Sequence, residues 1–123
     1  MVSTGQPAIV RLNVKTQDVD TLLQSANAAQ TLSVDEYNNV VYWVDFNSGQ
    51  NTHAIMKTYY SGSTMNLNIS YPGEIAITQD LLYLYVVDID NDRIDKYKKS
   101  SLEKMKSFPV SSGTKQIITV FGK

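Results

Sequence analysis

The chain has 123 residues, 42% hydrophobic and 19% charged, with a formal net charge of −1, the balance of an ordinary folded segment. Near-neutral charge removes the electrostatic footprint of a nucleic-acid binder. Without cysteine there are no disulfides, thiol catalysis or Cys-based zinc sites, and a single histidine, His53, leaves no two-histidine metal site.

Met1 to Pro7 is polar and lacks the apolar core of a signal peptide, so none is expected in this segment. Ile9 to Val14 alternates apolar and polar residues, the period of a half-buried strand, and Val19 to Leu23 follows after a polar turn. Gln24 to Gln30 is too short and too weakly patterned for a stable helix and reads as a loop. Thr31 to Val34 predicts a strand, and Asn38-Asn39 suits the positive φ angles of the turn after it. Strands are then expected at Val40 to Phe46, His53 to Tyr59 and Thr64 to Ile69. Further strands are expected at Glu74 to Thr78, Leu81 to Asp88, Arg93 to Lys98 and Leu102 to Phe108, with one more beginning at Gln116 to Phe121. The longest apolar run, Leu81 to Val87, is far shorter than the roughly 18 residues a membrane span needs. No membrane contact is therefore expected from this segment.

An internal repeat organises these elements. Val34 to Asp45 aligns without a gap on Ile77 to Asp88, and Val41/Leu84, Tyr42/Tyr85, Val44/Val87 and Asp45/Asp88 are each 43 residues apart. A period of about 40–45 residues filled by short antiparallel strands belongs to a β-propeller blade. The predicted fold is therefore all-β, with antiparallel four-stranded blades. In this reading residues 9–24 end one blade, 31–69 and 74–108 form two, and 116–121 begin another. Closed rings use about 4–8 blades, so the propeller is incomplete. It is completed either by further sequence in cis or by association between copies, and uncovered blade faces drive such association.

Tyr42-Trp43-Val44-Asp45, with Leu32-Ser33-Val34-Asp35 before it, resembles the YWTD repeat, the low-density-lipoprotein-receptor class B repeat. Pro72-Gly73-Glu74-Ile75-Ala76-Ile77 is similar to the opening of that family's blades. The second copy, Tyr85-Val86-Val87-Asp88, keeps tyrosine and aspartate but lacks the tryptophan, and valine replaces threonine at Val44 and Val87. These departures leave the NHL and gluconolactonase-like propellers open. The resemblance implies about half of a six-bladed ring, in an extracellular or secreted receptor or matrix protein that binds a protein or matrix ligand without catalysis. It also implies structural roles for Tyr42, Trp43, Asp45, Tyr85 and Asp88, with the motif aspartates tying adjacent blades together.

Candidate contact residues fall in the loops at one end of the predicted blades, where Phe46, Tyr71, Glu74, Asp90 and Asp92 lie, with Tyr60 a further tyrosine suited to an interface. Asp88-x-Asp90-x-Asp92 has the spacing that starts a calcium loop. The glycine and the bidentate glutamate of an EF-hand are replaced by Arg93 and Lys99, so a solvated turn is favoured and no cofactor is expected. Asn68-Ile69-Ser70 is an N-glycosylation sequon. His53 and the lysines 96, 98 and 99 are read as solvent-facing. Two rivals to the interaction module remain: a gluconolactonase-like metal-dependent enzyme and a self-assembling structural protein.

Overall fold

Alternating apolar residues and Asn- or Gly-containing turns fold this chain into three antiparallel sheets, described from a computed structural model for residues 8–24, 29–47, 49–115 and 117. A two-stranded hairpin comes first, β1 (Ala8–Leu12) and β2 (Val19–Gln24). A meander follows of β3 (Ala29–Asp35), β4 (Val40–Asn47), β5 (Thr52–Tyr59) and β6 (Thr64–Tyr71), paired in chain order. The second meander, again in chain order, is β7 (Ile75–Gln79), β8 (Tyr83–Asp88), β9 (Arg93–Lys98) and β10 (Lys104–Pro109). Most of the further strand expected at 116–121 and most of the loop at 24–30 lie outside the described residues.

The turns explain the strand limits. Asn39 adopts the left-handed conformation at φ 57°, while Asp35 takes the backbone N–H and side-chain amide of Asn38. Asp80 accepts hydrogen bonds from the N–H groups of Leu82 and Tyr83, so β8 starts two residues later than Leu81. Leu102 takes φ 61° in the turn between β9 and β10, which delays β10 to Lys104. Asn68, also left-handed at φ 61°, sits where the β5–β6 register slips between Ala54 and Met56, a bulge in the outer strand.

The two four-stranded sheets pack face to face, with β7 against β3 and β4. Val40, Tyr42, Val44, Ile55, Leu67 and Ile69 meet Ile75, Ile77, Leu84 and Val86 in one apolar layer. Because β4 is covered on both faces, Val41 and Trp43 point the opposite way and pack with Ile9 and Leu22 of the first hairpin. Each fully buried aliphatic side chain contributes about 1.5–3 kcal/mol, so this double coverage makes β4 a central beam of the molecule.

On that second face the Trp43 indole N–H donates to Thr58 Oγ1 at 2.9 Å, and Thr58 shares a hydrogen bond with Thr64 Oγ1, also at 2.9 Å. Thr58 has no exposed surface. Thr58→Val keeps the volume and strands a buried indole donor, a loss of about 1–3 kcal/mol. Urea unfolding followed by the fluorescence of the single tryptophan should show that loss, and an unchanged midpoint would remove Thr58 as the tryptophan's anchor.

Candidate functional site

The loops singled out from the sequence meet at one end, where they are fastened chiefly to one another. Ile89 to Asn91 forms a 3-10 turn whose Ile89 N–H donates to the Glu74 carbonyl. A side chain on Gly73 would collide with the Asp90 carboxylate, so glycine is required for this close approach. Asp92, left-handed at φ 50°, accepts the Val110 N–H on its carbonyl and the Gly113 N–H on Oδ1. It therefore anchors the chain leaving β10. Glu74 and Asp90 remain exposed on this rim.

The other residues predicted there are differently placed. Tyr71 is not a loop contact residue: it is 6% exposed, because the last residue of β6 turns into the layer between the sheets. Its hydroxyl donates to Asp95 Oδ2 at 2.6 Å and lies 2.7 Å from the Tyr97 hydroxyl. Phe46 is half-buried against His53, with ring centroids 4.7 Å apart. His53 is not a surface histidine; it is 7% exposed, and its Nδ1 has no hydrogen-bond partner among the described residues. Tyr60 is half-buried under the Arg11 guanidinium, 4.9 Å from its ring centroid.

The three aspartates of the calcium-like spacing do not converge. Buried Asp88 receives Asn91 Nδ2 at 2.9 Å and the Arg93 guanidinium at 3.1 Å, Asp90 lies against Gly73, and Asp92 binds Gly113. Among the described residues no group of three or more His, Asp or Glu side chains is placed to hold a metal ion. Asn68 of the sequon is exposed and borders a polar hollow with Asp45, Asn47, Asn66 and Ser70.

Among the described residues, the hydrogen bonds that tie the two four-stranded sheets run through residues other than Asp45 and Asp88. Asp88 is engaged within its own sheet, and half-buried Asp45, whose carboxyl burial pushes up, borders the polar hollow. The tie at the opposite end is Lys99, whose ammonium binds Asp35 Oδ2 at 2.9 Å and Gln79 Oε1 at 2.6 Å. Gln79 Nε2 in turn donates to Ser33 Oγ at 2.9 Å. Lys99 is thus not a solvated lysine; its side chain is 11% exposed and spans the two sheets. A second tie joins β6 to the outer strands of its neighbour, because Asp95 accepts from Tyr71 and from Ser107 Oγ at 2.6 Å. Arg93 and Lys104 add ion pairs to Asp95 at 3.1 and 3.5 Å.

These ties shape the titration of the carboxylates. Burial raises the pKa of Asp95, but hydrogen bonds from Ser107 and Tyr71 and the charges of Lys104 and Arg93 outweigh it, and the net shift is downward. Burial likewise opposes the hydrogen bonds from Asn38 and Lys99 at Asp35, and again the net shift is downward. Burial first, then the charge of Asp35, pushes the Tyr42 hydroxyl up to about 12. Burial and the hydrogen bond to Asp80 Oδ2 push half-buried Tyr85 to about 12.

Between the two sheets, at the end bearing Lys99, lies a groove of about 410 Å³. Tyr42, Tyr59, Leu81, Leu82, Lys57 and Lys98 are among its lining residues, and a hollow of about 270 Å³ continues it past Lys99 toward Met65 and Leu102. The groove is hard to find in sequence, since its walls come from two repeats and meet only when the sheets stack. The available signal was the Leu81-Leu82 pair beside a turn, too polar a place for two leucines facing water.

No protein-family model matches the chain, and no curated protein matches it by sequence. Solved structures do match in fold. One is titled as a nidogen/laminin complex, with TM-score 0.65 and 18% identity, covering 84% of this chain and 38% of that one. Another is apo AztD from Citrobacter koseri, with TM-score 0.65 and 14% identity, covering 93% of this chain and 32% of that one. The chain therefore spans about a third of the length of these structures. Its sheets are blades of a β-propeller, two of them four-stranded and one represented by two strands.

Asp95 and Asp35 stabilise the fold fully above the ordinary carboxylate value of 3.8, and that contribution disappears as pH falls through their lower native values. Asp95→Asn should lower stability at pH 7 by about 2 kcal/mol and flatten its decline below pH 4 in urea titrations. A wild-type slope retained by the variant would mean that other groups govern acid unfolding.

Proposed function

We propose that this chain is part of a YWTD-type propeller serving as a non-catalytic protein-interaction module of an extracellular receptor or matrix protein. The carrying observation is the division of labour among its side chains. Carboxylates and hydroxyls that could do acid–base work, such as Asp35, Asp88, Asp95 and Tyr71, are engaged with one another and with cations inside the frame. The concave surface left between the blades presents leucine, tyrosine and lysine, side chains suited to contact. The neighbour titled as a nidogen/laminin complex supports this reading by analogy of fold alone.

The ring is completed by further blades. The first hairpin covers Val41 and Trp43, whereas Leu32 and Val34, which share their face through the pairs Leu32–Trp43 and Val34–Val41, are each 50% exposed. In this reading the missing cover is the inner half of the blade to which β1 and β2 belong, supplied in cis or by a second copy. A glycan at Asn68 fits the same extracellular setting, since the sequon lies on an exposed bulge.

Two measurements test the proposal. Incubation with calcium and small lactones should give hydrolysis no faster than buffer, and turnover that depends on added metal would replace the interaction module with the enzyme reading. In sedimentation at tens of micromolar, the isolated chain should self-associate, and Leu32→Lys with Val34→Lys should shift it toward monomer. Equal sedimentation of both proteins would dismiss this face as the joint.

A further inference from the structure

We propose that the groove between the two four-stranded blades docks an extended acidic segment of a partner protein that also carries an aliphatic or aromatic side chain. The proposal rests on the interaction-module reading and gives it a location and a partner chemistry. It places the contact at the end opposite to the Glu74–Asp90 rim.

The charge pattern comes first. Three lysines, 57, 98 and 99, line the groove. Lys99 is neutralised by Asp35, but neither Lys57 nor Lys98 forms an ion pair among the described residues. Asp80, next to Leu81 in sequence, accepts three hydrogen bonds from its own turn and from Tyr85, and lines a different hollow. Two uncompensated ammonium groups thus border a concave surface, an arrangement that attracts carboxylates and repels basic segments.

The apolar pattern fixes what else the occupant must carry. Leu81 and Leu82 are 51% and 61% exposed on the rim, unusual for two adjacent leucines on a polar turn. Tyr42 and Tyr59 supply aromatic walls, and the Lys57 ammonium lies 4.9 Å from the Tyr59 centroid and 6.0 Å from that of Tyr42. Rings held under a cation give a rigid contact surface at small entropic cost. A free phosphate or a simple anion would satisfy the lysines and leave the leucines wet. An acidic peptide with one large apolar side chain satisfies both.

The floor is already organised. The Asp35–Lys99–Gln79–Ser33 chain of hydrogen bonds holds the two blades in register beneath the groove, so its walls need not move to accept a ligand. The adjoining hollow past Ser100 and Leu102 lengthens the groove along one direction, which suits an extended segment.

The test uses the full chain and an array of eight-residue peptides, each with two acidic residues around one leucine or phenylalanine. The best binders are then measured by fluorescence anisotropy. Binding should weaken as salt rises, and by at least tenfold when lysine replaces the acids or glycine the apolar residue. Lys57→Glu with Lys98→Glu should reduce affinity at least tenfold, and Leu82→Ser severalfold, with tryptophan-monitored unfolding midpoints preserved. Lys57→Gln with Lys98→Gln gives the same loss without added negative charge, so a fold defect in the first pair leaves the question decidable. Equal binding to the double-lysine variants, equal binding of the basic peptides, or full competition by inorganic phosphate would each overturn the proposal. An array with no binder overturns the groove alone, whereas metal-dependent lactone turnover overturns the module reading itself.

Discussion

The stacking of one four-stranded blade on the next is the constraint on which the rest of this molecule depends. A blade standing alone leaves both its faces wet, and such a sheet has no source of stability. Here the layer containing Val44, Ile55, Leu84 and Val86 is fully withdrawn from water only because the neighbouring blade covers it. Polar ties hold that layer in register. Lys99, Asp35 and Gln79 tie it at the end of the inner strands, and Tyr71, Asp95 and Ser107 tie it toward the outer strands. Apolar contact is non-directional, so without such ties two flat sheets could slide. Hydrogen bonds of 2.6 to 2.9 Å between named partners select one arrangement.

The same economy governs the loops. Asp80, Asp88 and Asp92 each end or turn a strand by accepting hydrogen bonds from nearby N–H groups or cations, and Gly73 admits Asp90 beside the linker between blades. Acidic residues clustered in sequence are therefore distributed in space, each with its own structural partner. Among the described residues of this rim Glu74 and Asp90 are the exposed carboxylates, while Asp88 and Asp95 of the aspartate run are buried. Surface chemistry concentrates instead where two repeats contribute lysines, tyrosines and leucines to a shared groove.

Strand positions were legible because a strand announces itself locally. Alternation in Ile9 to Leu12, the doubly covered apolar runs at Val40 to Val44 and Leu84 to Val87, and Asn39 in a left-handed turn depend on neighbours within a few residues. Tyr71, His53 and Lys99 each look like a surface residue beside a polar turn. Tyr71 and Lys99 engage elements distant in sequence, whereas His53 packs on Phe46 of the neighbouring strand. Tyr71 reaches Asp95, 24 residues away, and Lys99 reaches Asp35, 64 residues away.

The sequence by itself determined the blade repeat, the antiparallel order of the strands and the identity of the residues that fill each face, because periodicity two and turn chemistry are local properties of a chain. Tertiary structure alone decided which polar residues join the blades, which aspartates stand free and where a concave surface opens. Those outcomes depend on which side chains confront one another when sheets stack. A lysine carries no mark of the carboxylate it will meet until the two blades come together.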